Sequence, residues 1–328
     1  MKDSQQSPFS CCGADTFTTM VVCVASNRKL QEFLKEHGLP QSFLKTLDEW
    51  YIPLAGRIAK HHDAAGRTLL IGVNGSQGSG KSTLAALLTQ LLAQGFGLKA
   101  IDLSIDDFYL SRDARLSLAR QIHPLLETRG VPGTHDVSLM CETLQQLTRE
   151  SGGVCIPRFD KARDDRYPEN QWHRVLAPVD IVIVEGWCLG TPAQADAALD
   201  SPVNDLEALE DPDGRWRRYV NQQIGGRYQD VYQMMDLWIM LQAPSFACVY
   251  QWRLEQEEKL ADKLLAGDQQ NSSRNRLMTA TQISRFIQHY QRLTEHSLEQ
   301  LPGRVHFLFS LDAARQVVAY GEPRAASC

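Results

Sequence analysis

The chain has 328 residues and a formal charge of −5, with 34 Lys and Arg interspersed among 39 Asp and Glu. That balance offers no basic face for duplex DNA or an anionic membrane, and no apolar run nears the roughly 20 residues of a membrane span. The length suits one large α/β domain or two small ones, and Met20–Ala25 is too short for the core of a signal peptide.

Residues 1–26, rich in Ser, Gln and Thr without a sustained period, read as a flexible tail. Its Cys11–Cys12 pair lacks the C-x-x-C spacing of a zinc site. The eight cysteines are otherwise scattered, which points to reduced thiols and a cytoplasmic protein. Asn27 is placed to cap a short helix with Leu30, Phe33 and Leu34 on one face, stopped by Gly38 and Pro40. A second helix is expected over about Ser42–His61, with Phe43, Leu47, Trp50, Tyr51 and Leu54 inward and a kink at Pro53. Together 27–65 form a helical N-terminal extension to an α/β domain over 66–320.

From Thr68 strand and helix alternate, the pattern of a mostly parallel central sheet with helices on both faces. Strands are expected at Leu69–Val73, Lys99–Ser104, Val179–Val184, Leu237–Leu241 and Val305–Phe309. Thr83–Gln94 reads as a helix with an inner stripe of Leu84, Leu87, Leu88 and Leu91. Pro, Asp and Gly cluster over Thr191–Gly214, and 191–235 reads as a surface insertion without assigned chemistry. A last helix, Thr279–Leu298, sets Arg285, His289 and Arg292 in one stripe, either solvated or with Arg292 reaching phosphate or substrate.

Gly75-Ser76-Gln77-Gly78-Ser79-Gly80-Lys81-Ser82, followed by Thr83, has the spacing G-x-x-x-x-G-K-S between a buried strand and a helix. Its glycines let backbone N–H groups wrap phosphates, and the helix N-terminus adds the positive end of its dipole. Lys81 is expected at the β- and γ-phosphates of ATP and the Ser82 hydroxyl on Mg²⁺. The strand Val179–Val184 ends in Glu185, the expected place of an acid that holds that ion through water or polarises the acceptor site. No Asn-Lys-x-Asp or Leu-Ser-Gly-Gly-Gln run appears, which argues against a GTPase switch and a transporter ATPase.

Just past the second strand lies Ser104-Ile-Asp106-Asp107-Phe108-Tyr109. Ligands of an open α/β sheet bind beyond the carboxyl ends of its strands, so Asp106 is expected to face the γ-phosphate. There it can accept the proton of an attacking hydroxyl or join Ser82 and Glu185 at the metal. Asp107 is the alternative base, or else binds the metal or caps the next turn, and both Asp107 and Tyr109 are counted with the substrate residues.

These segments resemble the P-loop kinase group of uridine kinase, phosphoribulokinase and bacterial pantothenate kinase. Four further stretches are similar to the plant-type D-glycerate 3-kinases: Arg129-Gly-Val-Pro-Gly-Thr-His135-Asp136, Pro157-Arg-Phe-Asp-Lys161, Glu185-Gly-Trp187-Cys-Leu-Gly190 and Trp252-Arg253-Leu-Glu-Gln-Glu257. The resemblance covers about 66–312. It implies a P-loop kinase domain, Asp106 as catalytic base and Arg253 as the arginine that covers the transferring phosphoryl. Arg253 and Glu257 are also spaced to pair on a solvated helix face. The implied reaction is ATP-dependent phosphorylation of D-glycerate on its 3-hydroxyl. Pantothenate, a nucleoside or a sugar are alternative acceptors, and a nucleotide-binding regulator without an acceptor is the alternative outside enzymes. A small anionic metabolite needs cationic hosts, for which His135, Arg158, Lys161, Arg163 and Arg166 are candidates. Asp160, Asp164 and Asp165 are interleaved with them, so a solvated charged loop competes with that reading.

Overall fold

Leu69–Gly75 is buried at every position, as a strand paired on both edges and covered on both faces must be. It is β1. The computed structural model of the chain describes residues 28–149, 151–255 and 279–324. The 1–26 tail, the Asn27 cap and the Glu257 partner of Arg253 lie outside the described residues.

In chain order the further strands are β2 (Ala100–Ser104), β3 (Gly152–Ile156), β4 (Phe159–Asp160), β5 (Asp165–Arg166), β6 (His173–Ala177), β7 (Ile181–Gly186), β8 (Leu237–Gln242), β9 (Phe307–Leu311) and β10 (Val317–Gly321). Among the described residues the main sheet has six strands in the order β10-β9-β8-β1-β7-β2. All its pairings are parallel except β9 with β10. All five expected strands are present with shifted ends. β3–β6 and β4–β5 form separate two-stranded antiparallel ribbons that the apolar pattern did not disclose.

The principal helices are α1 (Arg28–Glu36), α2 (Ile52–Ala65), α3 (Lys81–Phe96), α4 (Arg112–Gln121), α5 (Val137–Arg149), α6 (Arg215–Gly225), α7 (246–255) and α8 (Ala280–Gln300). Alternation along β1 divides the core. Ile71 and Val73 pack with α1, α2 and α3 on one face, whereas Leu70 joins α5, α6 and α8 on the other. The expected helix over 42–61 is interrupted by a π turn, Leu47–Tyr51. Pro53 has no N–H for the Glu49 carbonyl and its ring crowds that turn, so the irregularity falls one turn before the proline.

The 191–235 stretch is not a surface addition. Leu199, Leu206, Trp216, Val220, Ile224, Tyr228 and Val231 are each at most 4% exposed. Its Pro, Asp and Gly residues make the turns between short helices, while Trp216, Val220 and Ile224 at i, i+4 and i+8 of α6 supply a core-facing stripe. The same stretch explains the α8 stripe. Arg292 donates to Glu207 at 2.8 and 2.6 Å and to the carbonyls of Ala198 and Ser201, and Arg285 pairs with Glu210. Arg292 is therefore a buried tie between segments and does not reach the phosphate loop.

A second buried arginine braces the loops beyond β2. Arg115 of α4 is 1% exposed. It donates to the carbonyls of Leu110, Glu127 and Asp164 at 3.3, 2.7 and 2.7 Å, and pairs with the Asp164 carboxylate at 2.9 Å. Arg115→Met keeps the bulk but strands those acceptors, at a cost of about 3 kcal/mol. The check is a lower urea midpoint at constant m-value; an unchanged midpoint would mean that the carbonyls are satisfied without the guanidinium.

Candidate active site

The loop between β1 and α3 turns on Gly78 and Gly80, at φ of 79° and 93°. A Cβ at Gly78 would lie 2.6 Å from the Cβ of Trp252, so α7 packs directly on the loop backbone. The hydroxyls of Ser76 and Ser79 and the Oε1 of Gln77 are buried without a protein partner. Thr83 lies in the first turn of α3, which begins at Lys81. Ser82 Oγ donates to Glu185 Oε1 at 2.8 Å, and Lys81 Nζ lies 3.7 Å from Glu185 Oε2. Glu185 is buried and its Oε2 has no hydrogen-bond partner. A hydroxyl and a buried carboxylate oxygen at the mouth of a phosphate loop fit Mg²⁺, which takes one or two protein oxygens beside phosphate and water.

Asp106 sits in a 3-10 turn, Ile105–Phe108, directly after β2, and Ser104 Oγ accepts its N–H. Its Oδ1 accepts from the Tyr109 hydroxyl at 2.9 Å and its Oδ2 from Lys161 Nζ at 2.6 Å. Burial pushes the Asp106 carboxyl upward. The Lys161 charge and hydrogen bond, followed by Lys81 and His135, outweigh it and lower the pKa to about 2. The neighbouring Asp107 points elsewhere. Its Oδ1 accepts the Phe159 N–H at 3.1 Å and faces Arg158 at 3.9 Å, so it ties down β4.

Asp106, Tyr109, Arg129, Lys161, Trp187, Arg253, Phe286 and Tyr290 enclose a cavity of about 300 Å³ with Gln77, Gly78, Lys81, Ser82 and Glu185. The guanidinium of Arg253 lies over Phe286, 5.8 Å from its centroid. Of the expected acceptor residues, Lys161 and Tyr109 reach this cavity. His135 stands behind Tyr109, stacked on its ring at 4.5 Å, and its Nδ1 meets the Tyr228 hydroxyl at 2.5 Å. Burial pushes the His135 imidazole down to about 4, against the pull of Asp106, so it is neutral near pH 7. Arg166 donates to the Tyr109 carbonyl and to Asp136, and Arg158 and Arg163 lie on the exposed side. The interleaved acids shape the loop: Asp164 pairs with Arg115 and Arg129, and Asp160 accepts the N–H groups of Ala162 and Arg163.

Sequence reasoning missed Arg129 as a cavity residue. Its signal was the glycine that follows, at φ 137°, where a Cβ would meet the Tyr290 hydroxyl at 2.2 Å. Trp187 Nε1 donates to the Gly130 carbonyl and Tyr290 to the Arg129 carbonyl. That backbone is pinned, and with it the root of the Arg129 side chain. The ring of Phe159 lies beneath its guanidinium at 5.5 Å.

Residues 70–191 match the model of the phosphoribulokinase / uridine kinase family. The uncharacterized kinase mug58 of Schizosaccharomyces pombe is 31% identical over 264 residues, 76% of this chain and 88% of that protein. The chloroplastic D-glycerate 3-kinase of Arabidopsis thaliana is 30% identical over 238 residues, 68% of this chain but only 46% of the plant protein. Among solved structures, the D-glycerate 3-kinase of Cryptococcus neoformans var. grubii superposes with a TM-score of 0.64 at 22% identity, covering 86% of this chain and 99% of that one. No helix among the described residues is long and apolar enough to cross a membrane. The family match over 70–191 and the extent of the matches to mug58 and the plant enzyme agree: the chain belongs to the phosphoribulokinase and uridine kinase family of P-loop kinases, among the relatives of the D-glycerate 3-kinases.

Proposed function

We propose that the protein transfers the γ-phosphoryl group of ATP to the 3-hydroxyl of D-glycerate, giving ADP and 3-phosphoglycerate. The observation that carries this reading is the 2.6 Å pair of Asp106 and Lys161 in one cavity with Lys81 of the phosphate loop. Four cations (Lys81, Arg129, Lys161 and Arg253) face two carboxylates there, which suits an acceptor that is itself an anion. At about 300 Å³ the cavity suits a short hydroxy acid. The names of two relatives, D-glycerate 3-kinases of a plant and a fungus, agree with it.

In this reaction the substrate hydroxyl oxygen attacks the γ-phosphorus, the bond to the bridging oxygen of ADP breaks, and the hydroxyl proton passes to Asp106. A carboxylate at a pKa of about 2 is a weak base. It serves by aiming the hydroxyl and taking its proton late, as a loose phosphoryl-transfer transition state allows. A substrate carboxylate that draws Lys161 toward itself loosens the hold on Asp106 and raises its basicity at the moment of use. Lys81 and Arg253 neutralise charge on the transferring group. Ser82 and Glu185 would hold Mg²⁺, which supplies further neutralisation of the phosphates.

Asp106→Asn is expected to lower kcat roughly 10²-fold or more with ATP affinity little changed. Asp107→Asn should act mainly on stability, because Asp107 holds the Phe159 amide. Loss of kcat in Asp107→Asn alone would reverse the two assignments. In Lys161→Met the countercharge and hydrogen bond are gone while burial remains, so the Asp106 pKa rises from about 2. The acid limb of kcat/KM should therefore move to higher pH, and KM for D-glycerate should rise. A pH profile that does not move would detach Lys161 from the base. The acceptor itself is tested by incubating purified protein, ATP and Mg²⁺ with D-glycerate, glycerol and pantothenate. The expected result is 3-phosphoglycerate, with glycerol strongly disfavoured because it brings no carboxylate to draw Lys161 from Asp106. Turnover of pantothenate with none of glycerate would replace the substrate but keep the kinase.

A further inference from the structure

The hairpin between β9 and β10 brings a residue from the far end of the chain to the phosphate loop. Arg315 Nε donates to the Gly78 carbonyl at 2.9 Å. The other arm of its guanidinium donates to Glu255 of α7 at 2.5 Å. Between these contacts the group lies over the indole of Trp252, 5.3 Å from the ring centroid. Trp252 is 1% exposed and donates back to the hairpin through Nε1 to the Ala313 carbonyl at 2.8 Å. Arg315 holds φ at 65°, a left-handed conformation that a side chain with a Cβ seldom adopts. Such strain persists where surrounding contacts over-determine it, and it often marks function.

We infer that Arg315 is a positioning residue that fastens the phosphate loop to α7, so that the loop's grip on nucleotide and the place of Arg253 are set together. The Gly78 carbonyl lies in the middle of the loop, at the glycine against which Trp252 packs. Arg253 follows Trp252 and enters the cavity over Phe286. A planar fork with fixed donors ties both segments at once, a geometry that the single nitrogen of a lysine matches less well. The coupling to Arg253 rests on the role proposed for that residue above; the hold on the loop does not.

Arg315→Gly suits the left-handed backbone and removes the guanidinium, so it tests the fastening with the fold preserved. ATP affinity, followed by isothermal titration in the absence of acceptor, should weaken roughly 10-fold, the scale of a lost charged hydrogen bond. Arg315→Lys should fall between this variant and the parent. If Arg315 acts through Arg253, Arg315→Gly should lower kcat in the parent and change it little in an Arg253→Ala background. An ATP dissociation constant within twofold of the parent, or kcat losses that multiply across the two sites, overturns the inference. An Arg253→Ala protein with parental kcat would overturn the role proposed for Arg253 instead, while the ATP titration still decides whether Arg315 holds the loop.

Discussion

Parallel pairing of β2, β7 and β1 sets Ser104 opposite Glu185 and Asn74 opposite Gly186, and the charged groups of the cavity take their places from that register. Three strands ending at one level deliver the phosphate loop, the buried Glu185 and the turn bearing Asp106 to a single edge of the sheet. A slip of one residue in β7 would turn Glu185 to the opposite face. Ser82 and Lys81 would then lose the carboxylate that they share.

Charge balance in the cavity follows. Asp106 is held by Lys161, Glu185 by Ser82 and Lys81, and the arginines rest on rings, Arg129 on Phe159 and Arg253 on Phe286. A guanidinium stacked on a ring is held in place by the ring's face. Arg129 also pairs with Asp164, which Arg115 holds from behind. Positive charge is thus placed by groups that are themselves fixed, which lessens the ordering needed when an anion binds.

The P-loop, the parallel sheet and the acid beyond β2 were legible in the sequence, because each is local: a glycine spacing, an apolar run, an acid within a few residues of a strand end. Choosing between Asp106 and Asp107 was not possible by the same means. Adjacent residues on a 3-10 turn point about a third of a turn apart, and only the partners, Lys161 for one and the Phe159 amide for the other, separate them. The far wall of the cavity was harder still, since Arg129, Trp187, Phe286 and Tyr290 meet from distant parts of the chain. The α8 arginines show the opposite error. Their common face was correct, yet the acids that claim Arg285 and Arg292 come from the 191–235 stretch, whose apolar stripe was hidden among turn residues.

That stretch also ends close to the chemistry. The Tyr228 hydroxyl meets His135, the His135 ring backs Tyr109, and the Tyr109 hydroxyl meets Asp106. The width of the cavity is therefore set partly by a column of three rings, rooted in a segment that does not itself line it. Altering the bulk at Tyr228 would shift Tyr109 along the column and resize the cavity while the phosphate loop keeps its place. Among relatives named for glycerate and for pantothenate, such a column lets the width of the cavity vary with the phosphate loop unchanged.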